Sequence, residues 1–323
     1  MEINLVFVGL VIPSCVAAPL SVCIAAYNEE RTIGNALDSV LNQDYPGELE
    51  VLVCANDCTD KTVEIVQQKQ ARDNRVDIIA TTERGKPNAW NILARAAQHN
   101  YRAFMDADVV LGNDALLHLV KALDANPQAI AAAPTISYVT AGRDFLTRLL
   151  AAPPSCTRFT SGALYALRND GLQHAFLSHD FAEMPKHIIA EDAWLTHMIT
   201  RDRIVMQPAA EVYLAAYSAS DLFRAAMRSG RTNSQFEVYP WIKPAAISGS
   251  LYERMLRRAR KFRDAPSLSE ALYLTAGWFL RRVICGTGRT IGKVDSHELD
   301  KPYWEVLDSS KVALPLSYGS RVA

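Results

Sequence analysis

The sequence predicts an α/β fold: a mostly parallel sheet flanked by helices, with a helical, basic C-terminal extension. Three observations carry this. From Leu20 to Asp108, short apolar runs alternate with longer amphipathic ones, the pattern of strands joined by right-handed helical crossovers. Polar residues gather where each apolar run ends, as ligand sites of parallel sheets do. After about Trp241 the pattern turns helical and rich in arginine.

The elements follow in order. Leu20 to Ala26 reads as a buried strand, and Glu29 to Gln43 as a helix whose Ile33, Ala36, Leu37, Val40 and Leu41 form one apolar stripe. Glu50 to Ala55 is a second strand, Asp60 to Arg72 a second helix, and Val76 to Ala80 a third strand. Pro87 to Asn100 is a third helix, and Tyr101 to Met105 a fourth strand. Beyond it the pattern is less regular. Asp114 to Asn126 reads as a helix ended by Pro127, Ala129 to Val139 as a strand, and Pro153-Pro154 as a turn. Phe159 to Leu167 reads as a loop and strand, Glu191 to Thr200 as a short helix, and Val205 to Tyr213 as another strand. No Gly-x-Gly-x-x-Gly follows the first strand and no Walker A sequence is present, which argues against dinucleotide and P-loop folds.

Bulk properties narrow the function. The chain has 323 residues, 49 % of them hydrophobic, enough for a large core. A formal net charge of −1 implies no whole-chain attraction to nucleic acid. The six cysteines form no Cys-x-x-Cys pair and read as free thiols of a cytoplasmic protein. Ile3 to Leu20 is almost wholly apolar. It lacks a preceding Lys or Arg, contains Pro13 and runs straight into a strand, so it reads as an apolar lead-in rather than a signal peptide or span.

Two carboxylates, Asp106 and Asp108, close the fourth strand. Residues two apart on a strand project to the same side, so both would crowd one volume. A hard divalent cation, Mg²⁺ or Mn²⁺, relieves that repulsion through oxygen ligands and then meets substrate phosphates. The alternative is an Asp pair that caps the next loop. Other strand ends carry Tyr27 and Asn28, Asn56 and Asp57, and Arg84 to Lys86. Asp57 also suits a turn, Asp60 suits a helix N-cap, and Lys86 suits a solvated surface. Glu191 and Asp192 open a helix, where acids are favoured by the macrodipole alone.

Taken together, these residues resemble the family 2 glycosyltransferases of the GT-A fold over roughly Leu20 to Ser234. The matching stretches are Ile24-Ala25-Ala26-Tyr27-Asn28-Glu29-Glu30, Val53 to Thr62 around Asn56-Asp57, and Gly85-Lys86-Pro87-Asn88-Ala89-Trp90-Asn91. Asp106-Ala107-Asp108, Thr160-Ser161-Gly162-Ala163 and Ala190-Glu191-Asp192 follow in the same order. The resemblance implies a donor site built from Ala25, Tyr27, Glu29, Asp57, Lys86, Asn91, Asp106 and Arg228. It implies metal binding by Asp108 with Asp106, acceptor contacts at Ser161 and Gly162, and a catalytic Glu191-Asp192 pair with Asp192 as general base. Processive members carry Gln-x-x-Arg-Trp where this chain has Ala225, Arg228 and Ser229. Only the arginine is kept, which argues against polymer synthesis.

The resulting expectation is an inverting transferase that moves one sugar per event from a nucleotide-sugar donor, a UDP-sugar, to a hydroxyl of a glycan or lipid-linked acceptor. The alternatives are a sugar-1-phosphate nucleotidyltransferase-like enzyme and a noncatalytic sugar- or lipid-binding relative. The first lacks its Gly-rich phosphate loop here, since Ala26 to Glu30 is acidic. The expected organisation is a lead-in at 1–19, a catalytic domain at 20–240 (nucleotide-binding half 20–110, acceptor half 111–240) and an extension at 241–323. In the extension, Arg254, Arg257, Arg258, Arg260, Lys261 and Arg263 precede the apolar stretch Ala271 to Leu280. That stretch is too short to span a bilayer. A helix packed on the domain and a peripheral contact with the cytoplasmic face of a membrane fit it equally.

Overall fold

The structure is a computed structural model that describes residues 17–237, 239, 241–242, 268–294 and 311–318. The apolar lead-in up to residue 16 and the arginine-rich run at 254–263 lie outside the described residues.

The chain runs β1 (Leu20–Ala26), α1 (Ile33–Leu41), β2 (Leu49–Asn56), α2 (Thr62–Gln70), β3 (Val76–Thr81), α3 (Lys86–Ala96), β4 (Tyr101–Asp106) and β5 (Val109–Leu111). It continues through α4 (Ala115–Asp124), β6 (Ala131–Val139), α5 (Phe145–Leu150), β7 (Ser155–Cys156), β8 (Leu164–Arg168), α6 (Asn169–Leu177) and α7 (Glu191–Ile199). It ends with β9 (Ile204–Ala215), α8 (Ala219–Phe236) and α9 (Leu268–Val294). One nine-stranded sheet has the order β3-β2-β1-β4-β8-β6-β9-β5, with β7 beside β6. The first four strands are parallel, and β8 enters antiparallel against β4. β6 and β9 are parallel to each other, and β5 closes the edge antiparallel to β9.

Strand alternation splits the core between the two sheet faces. From β1, Val22, Ile24 and Ala26 pack with Ile33 and Leu37 of α1 and Leu116 and Leu119 of α4. Cys23 faces the other way, with Trp90, Phe104, Tyr165 and Trp194. In that second layer Trp90 stacks on Phe104 at 4.8 Å and Phe104 on Tyr165 at 5.6 Å. The Trp90 indole N–H donates to the Tyr165 hydroxyl at 2.8 Å. Each stacked pair adds about 0.5–1.5 kcal/mol beyond area burial.

Two boundaries differ from the sequence expectation, each for a physical reason. The first helix starts at Ile33, not Glu29, because Asn28 takes a left-handed φ of 53° and residues 28–30 bond to the β2–α2 loop instead. The third helix stops at Ala96, not Asn100. The buried Arg102 guanidinium takes the carbonyls of Ala94, Ala97 and His99, satisfying the helix end from the adjoining strand. β5, α5, β7 and α6 were not expected. The first three are six residues or fewer, too short for a repeated hydrophobic pattern to register. Among the described residues the cysteines are free, with Cys23 and Cys54 buried.

Candidate active site

The carboxyl end of β4 opens into a cleft whose open space, mouth included, is about 940 Å³. Asp106 and Asp108 enter it from the end of β4, and Lys86 from the start of α3. Ser161 and Gly162 come from the loop before β8, Glu191 and Asp192 from the first turn of α7, and Arg228 from α8. Residues from five separate stretches of chain thus share one volume. The end of β4 lies at the carboxyl edge of the parallel strands, where ligands of such sheets gather.

Lys86 organises the floor. Its Nζ lies 2.6 Å from Asp106 Oδ1 and 2.7 Å from Glu191 Oε1. Burial works against the ammonium charge, but the Asp106, Glu191 and Asp192 carboxylates outweigh it and hold Lys86 well above its usual value. Glu191 is 5 % exposed. Burial pushes its carboxyl up, and Lys86 opposes that shift. A Cβ added at Gly162 would stand 2.8 Å from Lys86 Nζ and 2.9 Å from Asp106 Oδ2. Only glycine allows the backbone to approach this pair so closely.

Asp192 is held by backbone. Its Oδ2 accepts from Gly162 N at 3.2 Å and its Oδ1 from Ala193 N at 2.7 Å. Thr160 Oγ1 donates to the Asp192 carbonyl at 2.7 Å, and Thr160 N donates to Thr196 Oγ1 at 3.0 Å. The glycine loop and the start of α7 are therefore stitched together around the carboxylate, which still faces the cleft.

The remaining expected residues fall outside this centre. Tyr27, Glu29 and Asp57 lie on the neighbouring loops after β1 and β2. Arg84 caps Tyr27: its guanidinium sits 4.3 Å over the ring and donates to the phenol oxygen. Asp57 has φ 55° and its N–H donates to the Thr81 carbonyl at 2.7 Å. Ala25 is paired with Asp106 in the β1–β4 register and borders a small cavity beneath the cleft. Asn91 is buried, and both ends of its amide bond the Met184 backbone, at 2.8 and 3.1 Å. It braces the 181–190 segment against α3 and does not line the cleft. Asp60 accepts from Thr62 N at 2.9 Å at the start of α2 and also from Glu30 N at 3.0 Å.

Several cleft residues were not singled out from sequence. Tyr138 and Tyr217 line one wall with ring centroids 5.9 Å apart, beside Ile136 and Leu214. Lys186 borders the mouth and pairs with Glu83 at 2.7 Å. Tyr217 stands just past a strand end, a positional signal that was available. Tyr138 sits within an apolar strand and carried none.

Two carboxylates, Asp106 and Asp108, offer oxygen to a hard cation. No group of three His, Cys, Asp or Glu side chains among the described residues could hold one. The chemistry of this carboxylate pair fits a hard cation, with the Asp106 carboxylate shared with Lys86.

The fold and this cleft define a GT-A glycosyltransferase. The Glycosyl transferase family 2 profile matches residues 21–189, more than half of the chain, and the chain belongs to that family. It is 31 % identical over 109 residues to a poly-beta-1,6-N-acetyl-D-glucosamine synthase of Staphylococcus epidermidis, covering 34 % of this chain and 26 % of that protein. It is 37 % identical over 101 residues to a poly(ribitol-phosphate) beta-glucosyltransferase of Bacillus spizizenii, covering 30 % and 16 %. The matches thus span about a quarter or less of those curated relatives. Among solved structures, a mannosyltransferase of Pyrobaculum calidifontis in complex with GDP-Man and Mn²⁺ aligns with a TM-score of 0.55 at 23 % identity, covering 85 % of this chain and 87 % of that one. At that identity the likeness concerns the fold.

Proposed function

We propose that this chain transfers one sugar per event from a nucleotide-sugar donor, a UDP-sugar, to an acceptor hydroxyl, with inversion at the anomeric carbon. The observation that carries the reading is the pairing of a backbone-held Asp192 with the Asp106–Lys86–Glu191 cluster in one cleft. Family membership favours transfer over the nucleotidyltransferase alternative.

Asp192 is the general base. Backbone N–H groups fix its orientation, and it takes the proton of the acceptor hydroxyl as that oxygen attacks the anomeric carbon. The bond from that carbon to the diphosphate oxygen breaks, and the nucleoside diphosphate leaves with the electron pair. Lys86 pairs with both Asp106 and Glu191 and holds the two carboxylates in place. Arg228, from α8, adds positive charge to the cleft. Asp108 would hold Mg²⁺ or Mn²⁺, whose positive charge would offset the negative charge of the leaving diphosphate. Tyr27, Glu29 and Asp57 bound the nucleoside end of the donor, and Ser161 with Gly162 borders the acceptor. The aromatic and apolar wall of Tyr138, Tyr217, Ile136 and Leu214 suits a sugar ring face or a lipid-linked glycan. The donor chemistry suits the cytoplasm. A peripheral membrane contact would suit a lipid-linked acceptor, and Phe145, Leu146, Phe279 and Val283 are exposed apolar side chains on α5 and α9. No helix among the described residues is long and apolar enough to cross a membrane.

The test is a panel of UDP- and GDP-sugars assayed for release of nucleoside diphosphate, with Mn²⁺, with Mg²⁺ and with chelator. Metal-dependent release from a UDP-sugar is expected. Undiminished release in chelator would refute the metal assignment, and no release from any donor would refute the transfer reading.

A further inference from the structure

Residues 311–318 are remote in sequence from the donor half, yet Lys311 reaches the loop that follows β1. Its ammonium donates to the Tyr27 carbonyl at 2.7 Å and to the Asn28 carbonyl, and lies 2.9 Å from Glu29 Oε1. An ammonium has three donors, and these contacts use all of them. The two paired side chains are 15 % and 14 % exposed. The anchor for this reach is apolar. Leu314 is buried with Val110, Val139 and Ala215, and its carbonyl accepts from Asn35 Nδ2 at 2.9 Å.

The gripped loop needs such support. Asn28 occupies the left-handed region at φ 53°, which an L-residue enters at a cost. Its Oδ1 accepts from Thr59 N at 2.8 Å, and Glu29 N donates to Thr62 Oγ1 at 2.7 Å, so the loop is sutured to the β2–α2 loop beside Asp57. The Glu29 carboxylate is enclosed and feels the like charge of Asp106. Burial pushes its carboxyl up, and Lys311 pulls it back towards the charged form. An anionic diphosphate arriving beside Glu29 and Asp106 would add to this repulsion unless a fixed cation offset it.

We infer that Lys311 is a positioning residue for the donor site: a C-terminal strap, pinned by Leu314, holds loop 27–30 in the conformation that accepts a nucleoside diphosphate. Strap docking and nucleotide binding then stabilise each other, because each favours the same loop conformation. The inference rests on the proposed donor site at Tyr27 and Asp57.

The test combines titration of UDP and GDP into the full chain with amide hydrogen exchange. Lys311→Met keeps the aliphatic stem but removes the charge. It should weaken binding of the nucleotide that the wild type prefers by about tenfold, the factor expected if the competent loop falls to a tenth of the population. Turnover at saturating donor should stay at the wild-type value, and Lys311→Arg should restore affinity to within about threefold. Amides at 27–30 should exchange faster in Lys311→Met. In the wild type, nucleotide should slow exchange at 311–318, a readout that needs no variant to fold. Equal nucleotide affinity in Lys311→Met and wild type, or unchanged exchange at 311–318 on nucleotide binding, would overturn the strap while leaving the donor site standing. Absence of UDP and GDP binding to the wild type would overturn both.

Discussion

At the scale of single residues, the cleft depends on a close approach that side-chain volume would forbid. Gly162→Ala places a Cβ within 2.9 Å of both Lys86 Nζ and Asp106 Oδ2. Both are ends of side chains, so they shift rather than unfold the protein. A displacement of about 1 Å at a reacting centre can cost about 10²-fold. Gly162→Ala should therefore lose at least about tenfold in kcat/KM while its melting temperature stays near wild type. Lys86 gives a pH signature. Its folded-state pKa lies well above the ordinary 10.5, so the native state keeps a proton that the unfolded chain releases. The pair's contribution is full below pH 10.5 and is lost as pH rises through the folded value. Lys86→Met leaves Glu191 buried without its partner and should cost about 3 kcal/mol at neutral pH. Denaturant midpoints measured from about pH 8 to about pH 11.5 should show the gap between wild type and Lys86→Met narrowing above the ordinary lysine pKa. A gap that stays constant would contradict the pairing. Lys86 and Asp106 were legible in sequence because they sit at a helix start and a strand end, where ligand sites of parallel sheets collect, whereas Gly162 came only from the motif resemblance. Asn91 was legible only as part of a motif. Its place beside Met184 is set by packing across 93 residues of chain, which no local pattern encodes.

At the scale of elements, the parallel half of the sheet follows from apolar runs of strand length. The later half does not read so cleanly. α6 has a weak stripe, β5 and β7 are too short for alternation to register, and β8 enters antiparallel, which only the assembled sheet determines. α8 was marked in sequence only by Arg228, at the position the family's Gln-x-x-Arg-Trp motif gives its arginine. Its crossing with α9 uses small residues: a Cβ at Gly230 would land on the Arg289 carbonyl, and one at Gly288 would stand 2.8 Å from the Phe223 carbonyl. Gly230→Val should destabilise the chain by about 1–3 kcal/mol through overpacking, read as a lower denaturant midpoint. An unchanged midpoint would mean that the two helices do not cross so closely in solution. Leu314 and Lys311 carried no signal in sequence, because a lone lysine acquires meaning only from the loop it meets.

At the scale of the whole molecule, the account favours single additions. α8 presents Arg228 to the cleft, but Ala225 and Ser229 stand where the processive motif Gln-x-x-Arg-Trp has its glutamine and tryptophan. With excess donor and limiting enzyme, products should be the acceptor extended by one sugar. A ladder of long products would contradict this and bring the chain closer to its polymer-synthase relative, of which it matches 26 %.

The most direct measurement concerns Asp192. Asp192→Asn keeps the size of the side chain and an oxygen for the Gly162 and Ala193 N–H groups, but it cannot accept the acceptor proton at neutral pH. Turnover and donor affinity should be measured together, the first by nucleoside diphosphate release with acceptor and the second by titration of the donor. The account predicts a loss of about 10²–10⁴-fold in turnover, the range for removal of a general base, with donor affinity nearly unchanged. Wild-type turnover in Asp192→Asn, or a collapse of donor affinity with turnover of bound donor preserved, would contradict it.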